Sequence, residues 1–338
     1  MDYYLLDFEG LLPLFYRKHT AGRDSNLILI FAKILTVFSI SLIGYITNKI
    51  KWLPIESSKY LSQLLINISS PCLIIFSLSQ QELNKETVSS VVQTAALMLV
   101  ALITATVLAY FFVKVLKMPA EDRGVYQSAL TLTNSGFMGF PLALAVFGEK
   151  GLFLMIIANA VFTLYTYSVG VLVLISGKEE RLTAGTVLRS IVSIPVVSSV
   201  IGLVIFAFGI PLPSLLSDFL QMVGNITIPL SMIIIGIQLA ESKVREVLNN
   251  RHIYETIILK LAVFPAALFV LFIFLPVSPF VLCIVVFAMS MPTAAVTPVL
   301  SEIHGVNAKL AAQAVFITTM LSMLTIPVAA ILLHLYLR

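Results

Sequence analysis

Long apolar stretches separated by short polar connections run from about residue 26 to residue 336. About 20 mainly apolar residues cross the hydrocarbon of a bilayer as one helix. The pattern predicts ten spans: 26–50, 57–78, 87–115, 124–147, 151–176, 183–208, 214–240, 253–275, 279–301 and 307–336. Residues 1–25 carry Asp2, Asp7, Glu9, Arg17, Lys18, Arg23 and Asp24 and are too short and too charged to span. They also lack the basic-then-apolar order of a signal peptide. They are read as an extracellular N-terminal extension.

The fourth span departs from the pattern. Between 132 and 148 it holds Asn134, Ser135, Gly136, Gly139 and Pro141. A spanning helix must satisfy its backbone polar groups internally, whereas proline removes a donor and glycine loosens the turn. The expectation is a helix broken around Gly139–Pro141 and lining a cavity, as broken helices do in transporters.

The chain also repeats. Gly44 matches Gly202, Pro54 Pro211, Asn67 Asn225, Pro71 Pro229, Pro119 Pro276, Pro141 Pro298 and Gly148 Gly305, every shift being 157 or 158 residues. A five-helix unit is odd in number, so its second copy enters from the opposite side. The fold expected is therefore all-α and integral to the membrane: two inverted five-helix repeats, 26–176 and 183–336, with helices 4 and 9 broken and paired. The ninth span supplies the partner break at Ser290, Pro292, Thr293, Thr297 and Pro298.

Charge sets the orientation. Counting loops, 6 basic residues fall on the side of Arg17 and Lys85, and 14, with Lys260 among them, on the side of Lys49 and Arg123. Basic loops stay cytoplasmic, so both termini are expected outside a plasma membrane. With 59% hydrophobic and 11% charged residues and a mean hydropathy of +1.02, only a polytopic membrane protein fits. The scattered basic residues make no nucleic-acid patch. Cys72 and Cys283 fall inside spans and read as apolar core residues, not a disulfide.

Pro141 and Pro298 suit the first turns of second half-helices. Two electropositive half-helix N-termini aimed at one region, with no acidic residue near, suit a small organic anion. Asn134 is the foremost candidate: an unpaired amide in an apolar interior costs about 2–7 kcal/mol, so it must face substrate, water or an adjacent helix. Ser135, Gly136, Pro141, Pro292, Thr293, Thr297 and Pro298 complete the candidate substrate site, although small hydroxyl residues also serve as helix packing. Asn67 and Asn225 are expected to satisfy carbonyls freed by Pro71 and Pro229, or to line the cavity with Gln238 and Tyr165; Asn159 and Tyr167 are further cavity polars. No carboxylate lies mid-span for cation coupling. His304 and Lys260, near the cytoplasmic side, are marginal candidates for pH sensitivity and read first as solvated interfacial residues. The histidines are scattered and no hydrolase motif occurs, so no enzyme, cofactor or metal is expected.

At these residues the chain resembles the auxin efflux carrier family, which includes plant PIN-FORMED transporters. Asn134, Met138, Gly139, Pro141 and Leu142 resemble its fourth-span pattern, 229–240 its seventh span, and Met291–Ala294 with Ala311, Thr318 and Pro327 its last two. The plant pattern places its second ninth-span proline where this chain has Thr297. The resemblance implies crossing helices 4 and 9 separating scaffold from transport parts. It also implies efflux of organic anions, such as auxin-like or dicarboxylate compounds, by alternating access, and a homodimer in the lipid bilayer. The alternative carried alongside is a sodium-coupled organic-anion symporter of the bile-acid transporter type.

Overall fold

The structure is a computed structural model that describes residues 23–176, 193–241 and 250–337. The N-terminal extension up to residue 22, the 177–182 connection and the first part of the sixth expected span lie outside the described residues. The same holds for Lys178, Arg181, Arg189, Lys243 and Arg245 of the charge count.

Fifteen α-helices are described: α1 Arg23–Lys49, α2 Ile55–Leu64, α3 Ser70–Ser79, α4 Lys85–Val115, α5 Arg123–Thr131, α6 Gly139–Tyr165, α7 Val171–Leu174, α8 Ile194–Ala207, α9 Ser214–Gly224, α10 Thr227–Glu241, α11 Arg251–Ile258, α12 Phe264–Phe272, α13 Pro279–Met289, α14 Val296–Ile303 and α15 Ala308–Tyr336. Among the described residues there is no strand. Seven helical stretches are long and apolar enough to cross a membrane: Leu27–Lys49, Ile55–Ser79, Lys85–Val115, Gly139–Leu174, Ser214–Ala240, Arg251–Phe272 and Ala308–Tyr336. Helix α4 shows what surrounds them. Met98, Ala101, Leu102, Ala105 and Ala109 are buried, while Val92, Leu99, Ile103, Val107 and Phe111 face outward. Both faces are apolar, which fits hydrocarbon and not water outside the molecule.

Three stretches widen into a π turn: Leu65–Ser69 between α2 and α3, Thr166–Gly170 between α6 and α7, and Leu259–Val263 between α11 and α12. The first and third each precede a helix whose second residue is proline, Pro71 and Pro265. Proline cannot donate to the carbonyl four residues back, and the turn before it opens. Asn67 and Asn225 do not repair this, contrary to expectation. Both are exposed, and neither side chain bonds another described residue.

Glycines set the closest helix contacts. A Cβ on Gly236 would overlap the Ser41 carbonyl, and one on Gly44 the Ile233 carbonyl, so α1 and α10 pack backbone to backbone. Gly202 brings α8 onto the side chain of Leu78 in α3. Within α6, Gly148 has φ 69° and ψ −163°, outside the helical region. The chain folds back there. Gly139 lies against Met155, Gly151 against Ala143, and Ser135 bonds Asn159, all pairs centred on residue 147. Residues 139–147 and 149–165 thus form an antiparallel helical hairpin. Of the cysteines, Cys283 is buried and Cys72 half-buried, and both are free.

Candidate functional site at the crossing of two broken helices

The first break spans 132–138, between α5 and α6, and the second 290–295, between α13 and α14. The first lies earlier than expected. Gly139–Pro141 is already helical, and Pro141 is the third residue of α6 as Pro298 is of α14. Proline is tolerated in a first turn, where no intrahelical donor is needed. The break falls instead in Thr133–Gly136, whose polar side chains and glycine can leave the helix.

The two breaks cross as a short antiparallel bridge between Thr133 and Thr293. Asn134 N donates to the Pro292 carbonyl at 2.8 Å, and Ala294 N to the Leu132 carbonyl at 3.1 Å. Breaking a helix strands its last carbonyls, and here the other break and α11–α12 satisfy them. Thr133 Oγ1 donates to the Ala288 carbonyl at 2.5 Å, an acceptor that Pro292 cannot serve and that otherwise takes only the longer Met291 N–H at 3.3 Å and the α13 cap amide. Thr293 Oγ1 donates to the Ala129 carbonyl at 2.8 Å. Its N–H reaches Thr318 Oγ1 of α15 at 3.2 Å. The Leu130 carbonyl, which in an unbroken helix would accept from Asn134, takes Lys260 Nζ at 3.2 Å.

Lys260 was expected at a solvated interface and counted with the cytoplasmic loops. It is 0% exposed, buried inside the Arg251–Phe272 stretch, which leaves 13 basic residues on that side. Thr133 was not among the candidates, because its partner is 155 residues away and only the fold brings them together. Its one signal was its place beside Asn134.

A cavity of about 160 Å³ opens beside the crossing. Thr133, Asn134, Gly136, Phe137 and Phe140 form one wall with Ala294, Ala295 and Val296. Asn159, Phe162, Thr163, Thr166 and Tyr167 of the hairpin arm form the next. Leu65, Ile66 and Ser70, Ser193 and Pro195, and Thr227 close the far side. None of the lining residues is charged. Asn134 uses its backbone N–H and carbonyl within the crossing, and its side-chain amide has no partner among the described residues. The hydroxyls of Thr166, Ser193 and Thr227 are likewise buried without a partner. Asn159 Oδ1 accepts from Ser135 at 2.8 Å, leaving its N–H groups unpaired.

The half-helix N-termini differ from each other. At α6 the amides of Met138 and Gly139 turn back to the Asn134 carbonyl and that of Phe140 to Gly136. At α14 the amides of Ala295 and Val296 donate to no described oxygen, and both residues line the cavity. Of the other candidates, Ser135, Gly136, Pro292 and Thr293 belong to the crossing. Thr297 is buried beside it with an unpartnered hydroxyl. Pro141 is buried within α6. Tyr165 bonds Thr106 at 2.6 Å and does not line the cavity. Gln238, Asn67 and Asn225 also lie away from it. His304 caps the C-terminus of α14, half-buried.

Residues 29–330 match the family described as membrane transport protein, that of the auxin efflux carriers. The chain belongs to the auxin efflux carrier family. As a member of it, the protein is similar to an uncharacterized transporter of Methanocaldococcus jannaschii, 27% identical over 298 residues, covering 87% of this chain and 95% of the relative. It is also similar to an uncharacterized transporter of Methanothermobacter thermautotrophicus, 25% identical over 305 residues, covering 89% and 97%. This auxin efflux carrier family protein is thus a multi-pass membrane transport protein along nearly its whole length.

Proposed function

We propose that the protein carries a small organic anion, auxin-like or dicarboxylate, across the plasma membrane by alternating access at the crossing. The observation that carries this reading is the cavity itself. It offers the Asn134 and Asn159 amides, the Thr166, Ser193 and Thr227 hydroxyls and the Ala295 and Val296 N–H groups, and no carboxylate. Unpaired donors in an apolar wall recognise an acceptor, and a carboxylate is the strongest acceptor of this size. A cavity of about 160 Å³ is comparable to the roughly 150 Å³ that accommodates benzene in an engineered protein core, which favours small cargo.

The architecture belonging to this reading is ten membrane helices in two inverted repeats, 26–176 and 183–336, with both termini extracellular. Features that fall at the repeat shift support it. Lys51 and Gly209, 158 apart, both have positive φ, as do Gly148 and Gly305, 157 apart. The α1–α10 contact has its counterpart in α8–α3. A homodimer is part of the same proposal. Asn67 and Asn225, exposed at the middle of spans, would face hydrocarbon in a lone copy.

The test is uptake of labelled indole-3-acetate, malate and malonate into proteoliposomes, with and without a sodium gradient, by wild type and Asn134→Ala. Saturable carboxylate transport that falls in the variant is expected. Carriage of cations alone overturns the reading.

A further inference from the structure

Lys260 is a long charged side chain sealed from solvent, and among the described residues no carboxylate pairs with it. Taking an ion out of water without a counter-charge costs several kcal/mol, and a leucine or methionine would fill much of the same space. The compensation lies at the end of α5. A helix C-terminus concentrates about half an elementary negative charge on its free carbonyls. The break has withdrawn the Asn134 N–H from the Leu130 carbonyl and given it to Pro292. Helix α5 also carries two buried hydroxyls without partners, Ser128 Oγ and Thr131 Oγ1. Carbonyl and hydroxyl oxygens at the C-terminal end of a half-helix are a ligand set suited to a hard monovalent cation. The π turn Leu259–Val263 holds Lys260 Nζ 3.2 Å from one of them.

We propose that the C-terminal end of α5 is a cation site that the protein fills with its own Lys260 ammonium, in place of a soluble alkali cation. Lys260 is a positioning residue here: its tethered charge holds α5 against α11–α12 and keeps the crossing assembled. The inference deepens the transport reading by assigning the crossing's cation to the chain itself.

Full-length protein is melted in detergent in sodium, potassium, methylammonium or N-methyl-D-glucamine chloride at matched concentration. The wild type is expected to melt within about 1 °C in all four, because its cation is already bound. Lys260→Ala, which vacates the charge and its space, is expected to melt lower in N-methyl-D-glucamine. It should recover several degrees, saturably, in sodium or methylammonium. Lys260→Met, close in volume to the lysine stem, serves if the alanine variant does not fold, and is expected to show the deficit with weaker recovery. Sodium-specific stabilisation of the wild type overturns the proposal. So does a Lys260→Ala variant that melts as the wild type does in every salt, or one whose deficit is the same in all four. The readout needs no substrate, so failure of the organic-anion reading leaves this result intact.

Discussion

Thr133 and Thr293 each cap the helix that the other's break has cut short: Thr133 Oγ1 donates to Ala288 at the end of α13, and Thr293 Oγ1 to Ala129 at the end of α5. Both side chains are 0% exposed. Replacing one by valine keeps the shape and removes the donor, leaving a buried carbonyl short of a partner at a cost of about 1–3 kcal/mol. Thr133→Val and Thr293→Val should each lower the melting temperature, and Thr133→Ser should restore most of the loss. Thermal melts in detergent check it; a valine variant as stable as wild type would show that the caps carry no weight.

Asn134 should separate binding from folding. Its backbone bonds to Pro292, Met138 and Gly139 do not involve the side chain. Asn134→Ala is therefore expected to melt near the wild type while carboxylate uptake falls about tenfold or more, roughly one charge-assisted hydrogen bond. Asn134→Asp should be worse, since it sets a negative charge against an anion. Uptake and melting measured on the same preparations decide this.

The α1–α10 contact has no room for a methyl group. A Cβ at Gly236 would fall within the van der Waals radius of the Ser41 carbonyl, and rigid backbone cannot yield as a flexible side chain does. Gly236→Ala should destabilise by about 1–3 kcal/mol, the usual cost of overpacking. Gly148→Ala meets nothing within 4 Å but must hold φ 69° and ψ −163°, a region nearly reserved for glycine, and should lose about 1–3 kcal/mol from backbone strain. Chemical denaturation of the two variants compares packing with strain directly.

Asn67→Leu combined with Asn225→Leu should weaken self-association. Interhelical hydrogen bonds of asparagine in bilayers are worth about 0.6–2 kcal/mol each, so the pair should shift the monomer–dimer balance by roughly tenfold or more. Subunit counting by single-molecule photobleaching in lipid vesicles reads the change. An unaltered distribution would remove both residues from the interface.

The apolar pattern made most of the helices legible, because spanning length and the cost of unpaired backbone in lipid leave little choice. Asn134 and the two prolines were legible for the same reason: polar and helix-breaking residues inside an apolar run demand an explanation. What could not be read was which distant groups would meet. Lys260 lies near enough to the start of its span to pass for a loop residue, and only the approach of α5 shows why it is buried. Thr133 looks like any small interfacial hydroxyl until Ala288 is set beside it. Asn67 and Asn225 misled because one turn before a proline is where a repairing side chain would sit. At Asn67 a π turn opens the ladder without it, at Asn225 the helix breaks between α9 and α10, and both residues are exposed.

The reciprocal capping also decides where the molecule can part. Pulling the breaks from one another would free the Ala129, Leu132 and Pro292 carbonyls together and strip the Thr133 bond from Ala288. Leu65, Ser70 and Thr227 meet the cavity with no hydrogen bond to the crossing among the described residues, only the apolar packing of Phe137 on the Leu65 cluster, and Thr227 has a hydroxyl to spare. Under the proposed alternating access, parting is therefore easier along that side than at the crossing, where Thr133 and Thr293 hold the two breaks together as one unit.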